Sequence, residues 1–237
     1  MEFPLLIKPD SKASDIIEHN PLLLLLFEHL KIPLGFHEKT VEQLCSDYTI
    51  ELRLFLVIAN LFNGFNPHLS EVDSLKDIRL IISYLENNHK HYTTEKFPLL
   101  TSYISEITKL NSHPEIELLK RFFDEYLDEV AEHLKYENNI VFPYVLNLAY
   151  PTKDEAISEG NKYSMAEYRS HHDDIEEKLT DLKNLLIRYL PPDKDMQVRR
   201  RLILTLNELE FDLHIHSLIE ESVLTPIVEK LEQQNKR

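Results

Sequence analysis

HLKYENNIVFP at residues 133–143 returns as HSLIEESVLTP at residues 216–226, and the reading of this pair decides the fold. In each stretch a histidine is followed four residues later by a glutamate and six residues after that by a proline: His133, Glu137, Pro143 and His216, Glu220, Pro226. The copies stand 83 residues apart. At the same offset His89 pairs with His172, so each half carries one isolated histidine 44 residues ahead of its motif. A pattern kept at one offset across two halves implies an internal duplication.

The four histidines and two glutamates each lie within an apolar stripe. The stripes are Ile78, Ile82, Leu85, His89; then Phe123, Tyr126, Val130, His133, Glu137, Ile140, Tyr144; then Met165, Tyr168, His172, Ile175, Leu179, Leu182; and Leu206, Leu209, Leu213, His216, Glu220, Val223, Ile227. Steps of three and four describe one face of a helix. The expected fold is all-α, an up-down bundle of four principal helices. Residues 92–111 read as a helical continuation bent near Pro98, and Pro143 and Pro226 read as ends or kinks of their helices.

Ahead of the bundle, residues 11–66 read as short helices. Ser14 is placed to cap residues 15–19, Asn20 and Pro21 open a helix that runs to Leu30, Thr40 starts a third, and residues 51–62 form a fourth. Pro33-Leu34-Gly35 breaks the second of these. Asn63-Gly64-Phe65-Asn66-Pro67 is the strongest linker signal in the chain. The expected organisation is therefore a small helical domain over residues 1–66 and a bundle over residues 67–237.

Composition narrows the function. A net charge of −15 repels a phosphate backbone, so nucleic acid is not an expected partner. Cys45 is the one cysteine, which excludes an intramolecular disulfide and a thiolate-only metal site. The first residues lack the pattern of a secretory signal, and the apolar run at 22–27 is too short for a bilayer. The expectation is a cytoplasmic protein without membrane association.

His and Glu four residues apart on a helix point the same way, so His133/Glu137 and His216/Glu220 each aim an imidazole and a carboxylate toward the bundle axis. His89 and His172 add one imidazole each. A carboxylate on an apolar face costs several kcal/mol unless a cation offsets it. A lone His-x-x-x-Glu is commonly a surface pair; two copies, each with its own upstream histidine, suit two metal ions with bridging carboxylates. Imidazole and carboxylate donors accommodate iron, manganese or zinc. Glu129 and Asp212, each one turn before a motif histidine, read equally well as proton acceptors behind the ligands or as solvated helix acids. His91 and His214 point away from the stripes, and His171, rotated about 100° from His172, flanks the site rather than entering it. His19, His29, His37, His68 and His113 read as solvated or structural.

These motifs resemble those of the hemerythrin-like (HHE cation-binding) bundle proteins, above all the di-iron proteins that repair iron–sulfur clusters. The two His-x-x-x-Glu segments ending in proline match that branch, as do Asn88-His89 and His172-Asp173-Asp174. The resemblance implies two iron ions with an oxo or hydroxo bridge, held by His89, His133, Glu137, His172, His216 and Glu220. It implies a stress-response role: iron donation to damaged iron–sulfur proteins, or handling of nitric oxide, dioxygen or peroxide. The family's paired cysteines would fall near Ile32-Pro33-Leu34-Gly35-Phe36, where this chain has none. That departure gives weight to an alternative, a dioxygen or nitric oxide sensor that signals through its N-terminal domain. Catalytic reduction of nitric oxide or peroxide is a third reading, so whether the protein is an enzyme stays open. The N-terminal domain is expected to serve docking or homodimerisation.

Overall fold

Helix is the only extended secondary structure among the described residues, with one isolated bridge between Lys12 and Thr40. The computed structural model describes residues 4–67, 78–111, 113–151, 175–191 and 194–235. Four short helices come first: α1 (Ala13–His19), α2 (Leu23–His29), α3 (Val41–Asp47) and α4 (Leu52–Phe62). Long helical runs follow, three interrupted by a π turn and one ending in a π turn. The first is α5 (Ile78–His91), π1 (Tyr92–Lys96) and α6 (Phe97–Leu110); the second is α7 (Pro114–Tyr136), π2 (Glu137–Val141) and α8 (Phe142–Ala149). The third is α9 (Ile175–Asn184) with π3 (Leu185–Tyr189), and the last is α10 (Met196–Ile219), π4 (Glu220–Leu224) and α11 (Thr225–Asn235). The chain is thus all-α, a helix bundle preceded by smaller helices.

The π turns share one sequence cause. Each is closed by an amide bonded to the carbonyl five residues back: Phe97 to Tyr92, Phe142 to Glu137, Leu190 to Leu185 and Thr225 to Glu220. A proline stands six residues after the first residue of every one, at Pro98, Pro143, Pro191 and Pro226. Proline has no N–H to donate and its ring collides with the carbonyl four residues earlier in α geometry. One widened turn just before the ring relieves that collision. Pro143 and Pro226 were expected to end or kink their helices; they do not end them, because the helical path continues beyond them to Ala149 and Asn235.

The widened turn also shifts the register. Before it, the second stripe faces inward as expected, with Phe123, Tyr126, Val130 and Glu137 buried. After it, Ile140 is 44% exposed and Val141, Phe142 and Val145 take the buried positions. The extra residue in the turn moves the apolar face one position along. The other stripes are buried at the described positions Ile78, Ile82, Leu85 and His89, at Leu179 and Leu182, and from Leu206 through Ile227. Met165, Tyr168 and His172 lie outside the described residues.

The chain divides into two compact units. The first comprises Met1–Asn88, Tyr144–Ser158 and Ile215–Arg237. In it α1 packs on α2, and α2 and α3 pack on α4 around Leu26, Phe27, Leu44, Phe55 and Ile58. Phe27 meets Phe36 at 4.8 Å and Phe55 at 5.7 Å between ring centroids. The Asn60 amide pairs with the backbone of Ile7 in both directions, at 2.8 and 3.1 Å, and so pins the N-terminal segment. Thr40 caps α3 in a reciprocal box with Gln43, as its position suggested. Ser14 does not cap α1; the cap position is Lys12, drawn into extended backbone by its bridge to Thr40. The linker signal at residues 63–67 forms the closing turn of α4, with Gly64 at φ 80°.

The second unit comprises His89–Pro143 and Glu159–His214. Its core draws on four helical segments, with Leu100 and Ile104 from α6, Phe123 and Val130 from α7, Leu179 and Leu182 from α9, and Leu202, Leu206 and Leu209 from α10. Burying each such side chain contributes about 1.5–3 kcal/mol. Polar pairs fix the helix ends: Lys96 on π1 pairs with Glu208, and buried Asp195 accepts from Asn111 Nδ2 at 3.0 Å and Arg199 Nη2 at 2.8 Å.

Candidate metal centre

Glu137 is the first residue of π2 and Glu220 the first of π4, so each carboxylate leaves its helix where the turn widens. Both are 0% exposed. His133 sits one turn earlier, and its Nε2 lies 3.0 Å from Glu137 Oε1; the other oxygen, Oε2, lies 3.2 Å from His89 Nε2. One carboxylate thus stands between two imidazoles. In the other motif His216 Nε2 lies 3.3 Å from Glu220 Oε1. His89, Glu137 and His216 are all buried. His172 lies outside the described residues.

The donor set fits a transition-metal cation. Two donors bound at right angles to one cation, each at about 2.1 Å, stand about 3.0 Å apart. The three imidazole–carboxylate separations of 3.0, 3.2 and 3.3 Å are of that size. The atoms involved are Nε2 of histidine and carboxylate oxygen, a combination suited to iron, manganese or zinc. A buried carboxylate needs positive charge beside it, which a cation supplies.

Residues 80–195 match the family described as the Hemerythrin HHE cation binding domain. Over that span the chain is similar to that family. The span takes in His89, His133, Glu137 and His172 and ends before His216 and Glu220. The chain is also similar to the "Iron-sulfur cluster repair protein ScdA" of Staphylococcus haemolyticus, at 25% identity over 150 residues, 62% of this chain and 66% of that protein. The protein of the same name from Staphylococcus epidermidis is 24% identical over 161 residues, 67% of each chain. The chain spans about two thirds of the length of these curated relatives.

Around the candidate ligands two asparagines do what the acids Glu129 and Asp212 were candidates to do. An amide oxygen can only accept, so His89 Nδ1–H donates to Asn138 Oδ1 at 2.9 Å and His216 Nδ1–H donates to Asn88 Oδ1 at 3.4 Å. Each imidazole is thereby left with Nε2 toward the carboxylates. The His89 ring also stacks on Phe142, with centroids 5.3 Å apart and planes 22° apart, and the stack excludes water on that side. Glu129 instead pairs with Lys178 at 2.6 Å on the exposed surface. Asp212 is buried.

Neither asparagine was read from the sequence as part of the site. Asn88 immediately precedes His89 and Asn138 immediately follows Glu137, about 100° off the ligand face on an ideal helix. The legible signal is composition: a doubled asparagine, a poor helix former, adjoins a candidate ligand in both Asn87-Asn88-His89 and Glu137-Asn138-Asn139.

The remaining histidines divide. His113 and His214 are exposed, as expected. His91 and His29 are buried. His91 Nδ1 lies 3.6 Å from Glu95 Oε2, and the His29 ring meets Tyr84 edge-on at 5.5 Å. Of the five ligand candidates described, His133 is the most open, with 14% of its side chain exposed.

Proposed function

We propose that this chain is a di-iron protein of the oxidative and nitrosative stress response that repairs damaged iron–sulfur clusters. His89, His133, Glu137, His216 and Glu220, with His172, would hold the two ions. Iron held by such donors supplies redox-active positions open to nitric oxide, dioxygen or peroxide, and as cargo it is what a damaged cluster has lost. The chain's own residues bury two carboxylates, direct imidazole Nε2 atoms at them and shield one flank with Phe142. His133, partly exposed, marks the side from which solvent and small molecules enter. The likeness to iron–sulfur cluster repair proteins supports repair as the outcome. Damaged iron–sulfur proteins are then the partners, residues 67–237 the metal-holding domain, and residues 1–66 a docking or dimerising domain.

The observation that carries this reading is Glu137, fully buried with one oxygen near His89 and the other near His133. Iron content after anaerobic reconstitution tests it. The wild-type chain should take up two ions, with the absorption of a carboxylate-bridged ferric pair, and Glu137→Ala should hold one or none. Wild-type iron content in Glu137→Ala would end the assignment. Recovery of a peroxide-damaged iron–sulfur enzyme on adding the loaded protein then tests repair separately.

One observation favours a second reading, reversible sensing of nitric oxide or dioxygen. The Ile32–Phe36 stretch has no thiol, and Cys45 cannot stand in for one. It is buried within α3, and burial pushes its thiol up to about 12, so almost no reactive thiolate forms at neutral pH. Functions that need a reactive dithiol are closed to this chain. A gas-dependent spectral change without recovery of the damaged enzyme would select sensing.

A further inference from the structure

We propose that Asn88 and Asn138 are positioning residues of the metal centre, each fixing through its side-chain carbonyl which nitrogen of a ligand histidine faces the metal. The inference rests on the metal-binding reading above.

The two contacts are alike in chemistry and different in origin. Asn138 stands one residue after Glu137 and reaches His89, which belongs to a different helix. Asn88 stands one residue before His89 and reaches His216, 128 residues away. Each asparagine therefore adjoins one ligand in sequence and holds another in space. An imidazole whose Nδ1–H is committed to a carbonyl presents the lone pair of Nε2 outward, and that commitment both orients the ring and raises its basicity as a donor.

Asn88 carries a second mark of a positioning role. It is 0% exposed, and among the described residues its Nδ2 has no hydrogen-bond partner. A buried amide N–H left without an acceptor costs about 1–3 kcal/mol. An apolar side chain of similar size would fill the same space without that cost. The amide makes a net gain only through its oxygen, and that oxygen faces His216. Its neighbour Asn87 differs: its Nδ2 donates to the carbonyl of His29 at 2.8 Å, so it ties the end of α2 to α5 and touches no ligand. Asn87 is thus an internal control for losing an asparagine from the same turn.

The experiment titrates the full-length chain with Co(II) under a competing chelator and records its visible absorption. Asn138→Ala and Asn88→Ala should each weaken cobalt binding about 10- to 100-fold. Asn138→Asp and Asn88→Asp, which keep an acceptor oxygen, should recover most of that loss. Asn87→Ala should lower the melting temperature and leave cobalt affinity within twofold of wild type. In the iron-loaded protein, the aspartate variants should lower the reduction potential, because a charged acceptor makes the imidazole a stronger donor. Asn138 is exposed, so its variants can be read even if Asn88→Ala fails to fold. A wild-type chain that binds no cobalt overturns the metal-centre reading and this proposal with it. Wild-type affinity and spectrum in Asn138→Ala and Asn88→Ala overturn the proposal alone. So does an Asn87→Ala loss as large as theirs.

Discussion

Thr49 sits at φ 56°, in the left-handed region, although its side chain is branched at Cβ. It closes α3: the Thr49 amide bonds to Ser46 and the Ile50 amide to Cys45 at 2.8 Å. The same two-bond closure ends α2 at Lys31, φ 57°, and α4 at Gly64, φ 80°. Glycine takes this conformation without strain, whereas an L-residue there gives up about 1–2 kcal/mol. Part of that is returned by the greater freedom of a glycine in the unfolded chain. Thr49→Gly should therefore raise stability to urea by about 1 kcal/mol, with iron content unchanged; a loss of stability would mean that the threonine side chain contributes more than its backbone costs. Of the three closures only the one at Gly64 was legible, because Asn-Gly announces a turn. Lys31 and Thr49 carry no such mark. What holds them is the buried Ile32 or Ile50 immediately after, a packing demand that becomes visible only when the helices are assembled.

At the scale of the element, the prolines were legible and their consequence was not. A proline inside an amphipathic run announces a break, yet three of the four runs widen by one residue and go on, and only the third, before Pro191, ends at its widened turn. The pattern of burial shows the effect at Ile140, which the stripe places inward and the widened turn places outward. Deleting Ile140 would return π2 to α geometry and put the Pro143 ring against the carbonyl four residues before it. That deletion should cost about 3 kcal/mol or more, and iron content should fall because Glu137 heads the altered turn. Combining the deletion with Pro143→Ala should recover most of the stability without recovering the iron. Denaturant unfolding and metal analysis on the two variants separate these effects. Equal instability in both would show that the proline is not the reason for the π turn. The candidate ligands of the two motifs were readable as residues of one face because His-x-x-x-Glu spans the α turn before the widening, where helix periodicity still holds.

Across the whole molecule, two fully buried carboxylates stand in a chain that already carries a net charge of −15. Such groups favour unfolding into water unless cations accompany them in the folded state. Metal and fold are then linked, since a cation that binds the native chain and not the unfolded one stabilises it by RT ln(1 + [L]/Kd), about 2.7 kcal/mol at a hundredfold excess over Kd. The fold does not depend on metal alone, because the four-segment core of the second unit is apolar throughout. The expected behaviour is a chelator-treated protein that remains helical but melts at a lower temperature, with the melting temperature climbing steadily as free zinc or ferrous iron is restored. Glu220→Ala should flatten that climb, because it removes both a buried charge and a ligand; its metal-free form should melt at or above the metal-free wild type. That second comparison is the decisive one. If Glu220 served only to stabilise the helix bundle, removing it would lower the metal-free melting temperature and leave the metal-dependent climb as steep as before.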